Sequence, residues 1–430
     1  MLSLYNTLSR NREPFKPIEK KTVKMYTCGP STYQRAHIGN YRTFLYEDVL
    51  QRYLEYLGYK VTRLITLTDV EDKAIAESKK EKLSVGELTQ RNEANFFRDF
   101  ALLKIKVPDY TVRASTVVDQ SAKFTRTLVE KGYAYWHKHK GAENAYFDPL
   151  KFKGFGKLAH LDMNKWPRKK RRFHLDTYPG TPWNKGDFVL WHGCKKGESV
   201  CWDTEIGWGR PAWNIQDATI VTKHLGFTID LACGGIDNLV RHHDYTLAVA
   251  EAVSNKAFAR FWLHGAHLLV DGKKMSKSRG NVYCPADVLA KGFREDHMRF
   301  FLIYGQYRKR LNFTWENMVE TSRKLDAFKS MVQDLEKANT GISSGKVKKL
   351  ASSILSGFEA RMDDDLGVKA AFDELFSVVS AFRQLKKQGD LSSEDAEAAV
   401  SNLKKSRQRP KGNILMKLIV AAEVIVAFGW

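Results

Sequence analysis

The sequence is poor in cysteine and lacks the cysteine patterns of small secreted or metal-bound domains. The five cysteines among its 430 residues are scattered along the chain: Cys28, Cys194, Cys201, Cys233 and Cys284. No pair has the CxxC spacing that commonly holds a structural metal. An odd number of dispersed cysteines predicts no disulfide framework, and it fits the reducing cytoplasm.

Long apolar runs are also lacking. The N-terminal residues MLSLYNTLSRNREPF contain no apolar signal core. The stretch Ile414–Trp430 is apolar, but it carries Lys417 and Glu423 and is short for a membrane span. We interpret it as a bundle helix and expect a soluble protein with no membrane partner. The sequence contains no internal repeat or extended low-complexity tract.

Acidic residues are outnumbered by basic ones. Seventy Lys and Arg against 49 Asp and Glu give a formal net charge of +21. Such a charge favours polyanions such as RNA, although a solvated basic surface is the alternative. The run KWPRKKRR at 165–172 could likewise grip RNA or form a solvated loop. The length suggests about two or three domains.

The first part of the chain has the pattern of a parallel α/β unit. Residues Thr22–Thr27 read as a buried strand, Tyr41–Leu57 as a helix with apolar positions three and four apart, and Lys60–Leu67 as a second strand. Strand, loop, helix and strand at this spacing predict a nucleotide-binding unit. Apolar stretches near Ala218–Val221 and Phe227–Ala232 predict its second half, and the pattern is helical from about Met318.

Two short motifs carry the candidate chemistry. His37-Ile38-Gly39-Asn40 follows the first strand at a helix start, where unpaired N–H groups favour phosphate. Lys274-Met275-Ser276-Lys277-Ser278 places two lysines in a loop that can offset charge on departing pyrophosphate. Either motif alone is weak evidence, but their order and separation by an α/β body make the pair specific.

These motifs resemble the HIGH and KMSKS signatures of class I aminoacyl-tRNA synthetases. The text around them is similar to the cysteinyl type, or to a paralogue such as the ligase that joins cysteine to an amino sugar in mycothiol synthesis. The matching segments are LYNTLSRNREPFKP at the start, MYTCGP before HIGN, LTDVEDKAI at 67–75, GRPAWNI at 209–215, GGIDNLVRHHD at 234–244, GQYRKRLNFTWENM at 305–318 and RMDDDL at 361–366.

The resemblance implies an α/β fold: a Rossmann-type (HUP) nucleotide-binding domain with an insertion, followed by a C-terminal helical bundle. The implied division is 1–115 for the first half of the catalytic domain, 116–205 for an inserted connective region, 206–265 for the second half, 266–317 for a connection bearing the KMSKS motif, and 318–430 for the bundle. The family continues into an anticodon-reading region, whereas this sequence stops at Trp430.

The resemblance also implies an ATP site. His37 and Asn40 would contact the phosphates, with Asn40 in place of the usual histidine, and Lys274 and Lys277 would stabilise the transition state. Gly235 and Asp237 would meet the ribose, although a turn residue is the alternative for Asp237. Val270 would lie beside the adenine. Gly39, Ser276 and Ser278 complete the implied set.

For the amino acid, the resemblance implies a pocket lined by Tyr33, Thr68 and Trp213, although Trp213 could be simple core. The family binds the cysteine thiolate to zinc held by two Cys, one His and one Glu. The matching positions are Cys28, Asp217, His242 and Thr246. We also assign the first three to the amino-acid site.

The replacements at Asp217 and Thr246 put zinc in doubt. Cys28, Asp217 and His242 could form a three-ligand site; otherwise Cys28 and His242 are ordinary buried residues. A metal-free Asp217 could pair with the cationic side chain of an amino acid other than cysteine.

We therefore expect a ligase that forms an aminoacyl-adenylate from ATP, with Mg²⁺ on the phosphates, and transfers the aminoacyl group to an acceptor. Transfer to tRNA is our first choice, and we expect a cytoplasmic monomer. The alternatives are a tRNA-independent ligase acting on a small amine or peptide, and a non-catalytic RNA-binding paralogue.

Overall fold

The computed structural model describes residues 1–139, 141–165, 186–195, 197–336, 350 and 356–389. Its strands are β1 (Ser3–Asn6), β2 (Asn11–Pro14), β3 (Thr22–Thr27), β4 (Lys60–Leu67), β5 (Tyr110–Arg113), β6 (Ala134–His139), β7 (Ala142–Phe147), β8 (Phe188–Gly193), β9 (Gly209–Pro211), β10 (Ile229–Gly235), β11 (Ala259–Gly265), β12 (Leu268–Val270), β13 (Lys273–Lys274) and β14 (Leu311–Phe313). Its longer helices are α1 (Ile38–Tyr56), α2 (Asp72–Glu81), α3 (Val85–Leu102), α4 (Val118–Glu130), α5 (Trp213–Leu225), α6 (Asp244–Ser254), α7 (Pro285–Leu289), α8 (Glu295–Ile303), α9 (Trp315–Glu336) and α10 (Val368–Gln388).

A five-stranded parallel sheet lies at the centre, in the order β5-β4-β3-β10-β11. Every residue of β10 is buried, because helices cover both faces of the sheet and leave neither to water. The strand order reverses between β3 and β10. In open parallel sheets this reversal creates a crevice at the carboxyl ends of the strands, where ligands bind.

The two faces of the sheet pack into separate hydrophobic clusters. On β3, Val23 and Met25 face the cluster that contains α1, α3 and α8 to α10, whereas Tyr26 faces the cluster with α4 to α6. This alternation follows from the two-residue period of a strand. The first cluster joins the central sheet to the C-terminal helices.

A four-stranded antiparallel sheet, β6-β7-β8-β9, occurs between β5 and β10 in the chain. Its last strand ends at Pro211, beyond the expected boundary of the insertion at 205. Most of the basic run at 165–172 lies outside the described residues. The division into domains stays a prediction.

A small sheet, β13-β12-β14, follows the central sheet, with α7 and α8 lying between β13 and β14 in the chain. Helices α8, α9 and α10 pack in succession. The expected helix Ile414–Trp430 lies outside the described residues. Across the described part of the chain, no helix is long and apolar enough to cross a membrane.

One pair of cysteines departs from the sequence-based expectation. Cys194 and Cys201 form a disulfide in the connection between β8 and β9. Strands β8 and β9 pair antiparallel, so the chain between them reverses direction. The Cys194 N–H donates to the Trp208 carbonyl at 3.1 Å and extends this pairing into the connection. Cys28 and Cys233 are buried free thiols, and Cys284 is half-buried.

Candidate active site

The first motif forms the start of α1. His37 is the N-cap: its Nδ1 accepts a hydrogen bond from the Asn40 N–H at 3.3 Å, and Asn40 Oδ1 accepts one from the His37 N–H at 3.0 Å. This reciprocal capping box fixes both side chains. Burial lowers the pKa of His37, which keeps the imidazole neutral at physiological pH. Because Nδ1 accepts, the ring proton lies on Nε2, which can donate to a phosphate oxygen.

The second motif packs directly on the first. The Met275 methyl occupies the space above Gly39, where any Cβ would collide with it. Gly39 thus leaves room for the Met275 side chain, whose flexible end would have to shift if residue 39 carried a Cβ. Residues from opposite ends of the catalytic region thus meet at one helix terminus.

The loop that carries the lysines is held by its own hydrogen bonds. Lys274 is exposed at the end of β13, and its carbonyl accepts from Arg279 Nη1 at 3.1 Å. The Ser276 N–H donates to Asn281 Oδ1 at 3.0 Å. The Ser276 and Ser278 hydroxyls lie 3.3 Å apart. Lys277 begins a short 3₁₀ helix, and its side chain lies outside the described part of the structure.

The expected ribose residues lie at the end of β10. Gly235 is its last residue, and Asp237 follows with an exposed carboxylate whose Oδ1 is 4.0 Å from His267 Nδ1. Burial lowers the pKa of His267, a residue that the sequence analysis did not identify. Val270 is buried at the end of β12.

One cavity of about 700 Å³ joins most of the expected site. The expected residues that line it are Cys28, Tyr33, His37, Gly39, Asn40, Thr68, Trp213, Gly235, Asp237, His242 and Lys274. Asp217, Val270, Ser276 and Ser278 are not part of its lining. The cavity extends from the α1 terminus to the switch point between β3 and β10, so a nucleotide and a second small substrate could lie side by side.

The far end of the cavity is framed by aromatic and backbone groups. The Trp213 indole, at the start of α5, stacks on the His242 ring with centroids 5.3 Å apart and planes 13° apart. His242 belongs to a π-helical turn, a local irregularity that is frequent at functional sites. The Thr68 carbonyl accepts from the Thr32 N–H at 3.0 Å, and Lys73 Nζ lies 5.3 Å from the centre of the Tyr33 ring.

Beneath Trp213 lies a compact hydrogen-bonded cluster of Tyr26, Cys28, Asp217, Asn238 and His242, which we call the polar cluster. Asp217 Oδ2 accepts from the Tyr26 hydroxyl at 2.6 Å and lies 2.5 Å from His242 Nε2. Asn238 Nδ2 donates to Cys28 Sγ at 2.8 Å. Burial raises the pKa of the Cys28 thiol, so it is held protonated.

The donors of the polar cluster converge, but they are hydrogen-bonded to one another and include one cysteine rather than the two of the family's zinc site. Sγ of Cys28, a carboxylate oxygen of Asp217 and a ring nitrogen of His242 lie within 4.8 Å of one another. The 2.5 Å between Asp217 Oδ2 and His242 Nε2 is a direct hydrogen bond. Thr246, at the position of the family's glutamate, is buried in α6 and offers only a hydroxyl.

Besides His267, sequence reasoning missed Asn238 and Glu71. Asn238 directly follows Asp237 yet was not singled out, because its partner Cys28 lies 210 positions away. Glu71 is a buried carboxylate that lines the cavity, bonds to the Ser31 hydroxyl and contributes to the raised pKa of Tyr33 after burial itself. Its signal was available, since it lies within the quoted segment LTDVEDKAI.

Comparison with solved structures defines the class of fold. Methionyl-tRNA synthetase of Mycobacterium tuberculosis, in complex with methionyl-adenylate, superposes with a TM-score of 0.66 at 16% identity, over 94% of this chain and 89% of that one. The LeuRS–tRNA–LeuAMS ternary complex of Agrobacterium radiobacter K84 gives a TM-score of 0.63 at 10% identity, over 95% and 85%. The fold is thus that of the class I synthetases.

Sequence comparison narrows the class. The family described as tRNA synthetases class I (C) catalytic domain matches residues 14–323. Cysteine–tRNA ligase of Chlamydia pneumoniae is 37% identical over 94% of this chain and 85% of its own length. The corresponding enzyme of Koribacter versatilis is 34% identical over 94% and 80%. The chain belongs to the class I aminoacyl-tRNA synthetase family of the cysteinyl type.

These findings confirm the expected family, the Rossmann-type α/β fold and an ATP-dependent aminoacyl-tRNA ligase. A tRNA-independent ligase and a non-catalytic RNA-binding paralogue are not favoured. The roles of the individual site residues stay predictions.

Proposed function

We propose that this chain activates cysteine with ATP and transfers the cysteinyl group to tRNA. The observation that carries the proposal is the single cavity that unites the His37–Asn40 cap, Lys274 and the pocket beneath Trp213. Family membership supports the reaction class, and the names of the relatives support cysteine and tRNA as the substrates.

In the first step the substrate carboxylate oxygen attacks the α-phosphorus of ATP. The bond from that phosphorus to the bridging oxygen breaks, and pyrophosphate leaves. His37 would donate from Nε2 to a phosphate oxygen at the α1 terminus, and Lys274 would offset charge on the departing group. Mg²⁺ would bind the ATP oxygens and neutralise part of their charge. No protein nucleophile is needed, so catalysis rests on positioning and charge.

The other end of the cavity would hold the amino acid. Glu71 is a buried carboxylate in the lining, and we propose that it receives the substrate ammonium. The stacked Trp213 and His242 rings would close one side of the pocket. The substrate carboxylate would then face the α1 terminus, where the ATP phosphates lie.

In the second step a ribose hydroxyl of tRNA attacks the acyl carbon and AMP leaves. The net charge of +21 supports binding of a polyanion. The expected residue roles, the five-part domain division, the monomeric state and the cytoplasmic location belong to this proposal.

The first step is tested by ATP–pyrophosphate exchange with each of the twenty amino acids. We expect rapid exchange with cysteine and slow exchange with the others. Exchange that prefers an amino acid with a cationic side chain would contradict the proposed substrate. If none of the twenty amino acids supports exchange, the proposal that the chain forms an adenylate is contradicted.

A further inference from the structure

The polar cluster occupies the position where the family's ligand set would hold zinc, so its internal bonding determines what the amino-acid side chain meets. Asp217 is 2% exposed, and a buried carboxylate requires strong donors or a cation. The Tyr26 hydroxyl and His242 Nε2 meet that requirement at 2.6 and 2.5 Å. The carboxylate is therefore satisfied by protein groups alone.

The Cys28 sulfur is likewise hydrogen-bonded within the polar cluster. Asn238 Nδ2 donates to Cys28 Sγ at 2.8 Å, and Sγ lies 3.9 Å from Asp217 Oδ2. Each donor is thus already hydrogen-bonded within the protein: Asp217 to Tyr26 and His242, and Cys28 to Asn238.

Cys28, Asn238 and His242 line the cavity, whereas Asp217 lies behind them. A substrate side chain would therefore meet a thiol, an amide and an imidazole, and Asp217 would orient the imidazole. Thr246 places a neutral hydroxyl where the family's fourth ligand would stand.

We propose that this hydrogen-bonded cluster replaces the metal ion, and that the chain recognises its small thiol substrate without any bound transition metal. The inference rests on the proposed function for the identity of the substrate. The lack of a metal in the polar cluster can be measured independently of activity.

The test uses the full chain as purified. Its zinc content is measured after dialysis against metal-free buffer, and Co²⁺ is then added as a spectroscopic probe. We expect far less than one zinc per chain and no thiolate-to-cobalt charge-transfer band. One tightly held zinc per chain, or a stoichiometric cobalt–thiolate band that disappears in Cys28→Ser, would overturn the proposal. The disulfide-forming cysteines are excluded as ligands by repeating the titration with Cys201→Ser.

Activity provides a second readout. Cysteine-dependent pyrophosphate exchange is measured with excess Mg²⁺, with and without 1,10-phenanthroline. We expect equal rates, whereas a loss of exchange that added zinc reverses would overturn the proposal. Failure of exchange in both conditions would contradict the proposed function and leave the metal measurements to decide this inference.

The double substitution Asp217→Cys with Thr246→Glu serves as the matched control, because it restores the family's four ligands. We expect this variant to acquire about one zinc per chain, as four-ligand sites do. It shows that the fold can hold the ion and that the assay detects it. The decision rests on the wild-type chain, so misfolding of the variant would not affect the result.

Discussion

At the scale of single residues, two adjacent lysines offer a matched test of the catalytic role proposed for Lys274. Lys274 lines the cavity, whereas Lys273 is exposed beside it on β13 and does not. We expect Lys274→Ala to slow pyrophosphate exchange about 10²–10³-fold, because a cation opposite developing negative charge contributes on that order. Lys273→Ala, which removes an equal charge, should leave the rate nearly unchanged. Equal effects of the two substitutions would show that only general charge matters.

A metal-free pocket also has a consequence for selectivity. Zinc binds a thiolate far better than a hydroxyl, whereas a thiol, amide and imidazole can hydrogen-bond to either. We expect serine to be activated with a kcat/KM no more than about 200-fold below that of cysteine, the range reached by shape and hydrogen bonding alone for close analogues. Exchange kinetics with both amino acids test this. Discrimination greater than 10⁴-fold would require another selector.

The sequence could predict which residue types gather in the site but not how they bond. His37 and Asn40 are close in sequence, so their common location follows from the helix start. The contacts among Cys28, Asp217 and Asn238 join residues about 200 positions apart, and they depend on how β3 and β10 meet at the switch point. No local pattern encodes that approach.

At the scale of elements, Asp48 joins α1 to α8. It is fully buried and accepts from Arg299 Nη2 at 2.6 Å and Arg52 Nε at 2.9 Å. We expect Asp48→Asn to lower the free energy of unfolding by about 3–5 kcal/mol, because it leaves Arg299 buried without its charge partner. Denaturant unfolding at pH 7 measures this. Asp203→Asn, at an exposed position, should change it little.

The ion pairs of Asp48 with Arg299 and Arg52 also predict how stability depends on pH. Burial alone would raise the pKa of Asp48, but Arg299 and Arg52 lower it to about 2. Since this value lies below the unfolded pKa of about 3.9, the stabilisation is complete above that pH and is lost as pH falls towards 2. Wild type should therefore lose stability between about pH 4 and 2 more steeply than Asp48→Asn. Parallel pH profiles for the two proteins would contradict this.

The periodic elements were the predictable ones. The strands Thr22–Thr27 and Lys60–Leu67 agree with the structure, because both segments are rich in β-branched and aliphatic residues. The first helix begins at Ile38 rather than Tyr41, because the capping box formed by His37 and Asn40 lets the residues before Tyr41 adopt the helical conformation. The strands of the inserted sheet were not predicted, because their pairing depends on partners far along the chain.

At the scale of the whole molecule, the net charge of +21 predicts a salt-sensitive acceptor step. Binding of a nucleic acid releases counterions, so the KM for tRNA should rise more than about tenfold between about 50 and 200 mM KCl. Pyrophosphate exchange, which involves no tRNA, serves as the control and should change little over the same range. If salt affects both activities equally, it acts on protein stability or on ATP binding rather than on tRNA binding.

The most direct test of the central claim is the transfer of labelled cysteine to RNA. The full chain is incubated with ATP, Mg²⁺, radiolabelled cysteine and total tRNA, and acid-precipitable label is counted before and after ribonuclease and mild alkali. Ligation to tRNA predicts ATP-dependent label that both treatments release. Pyrophosphate exchange accompanied by no label on RNA, or by label only on small molecules, would contradict it.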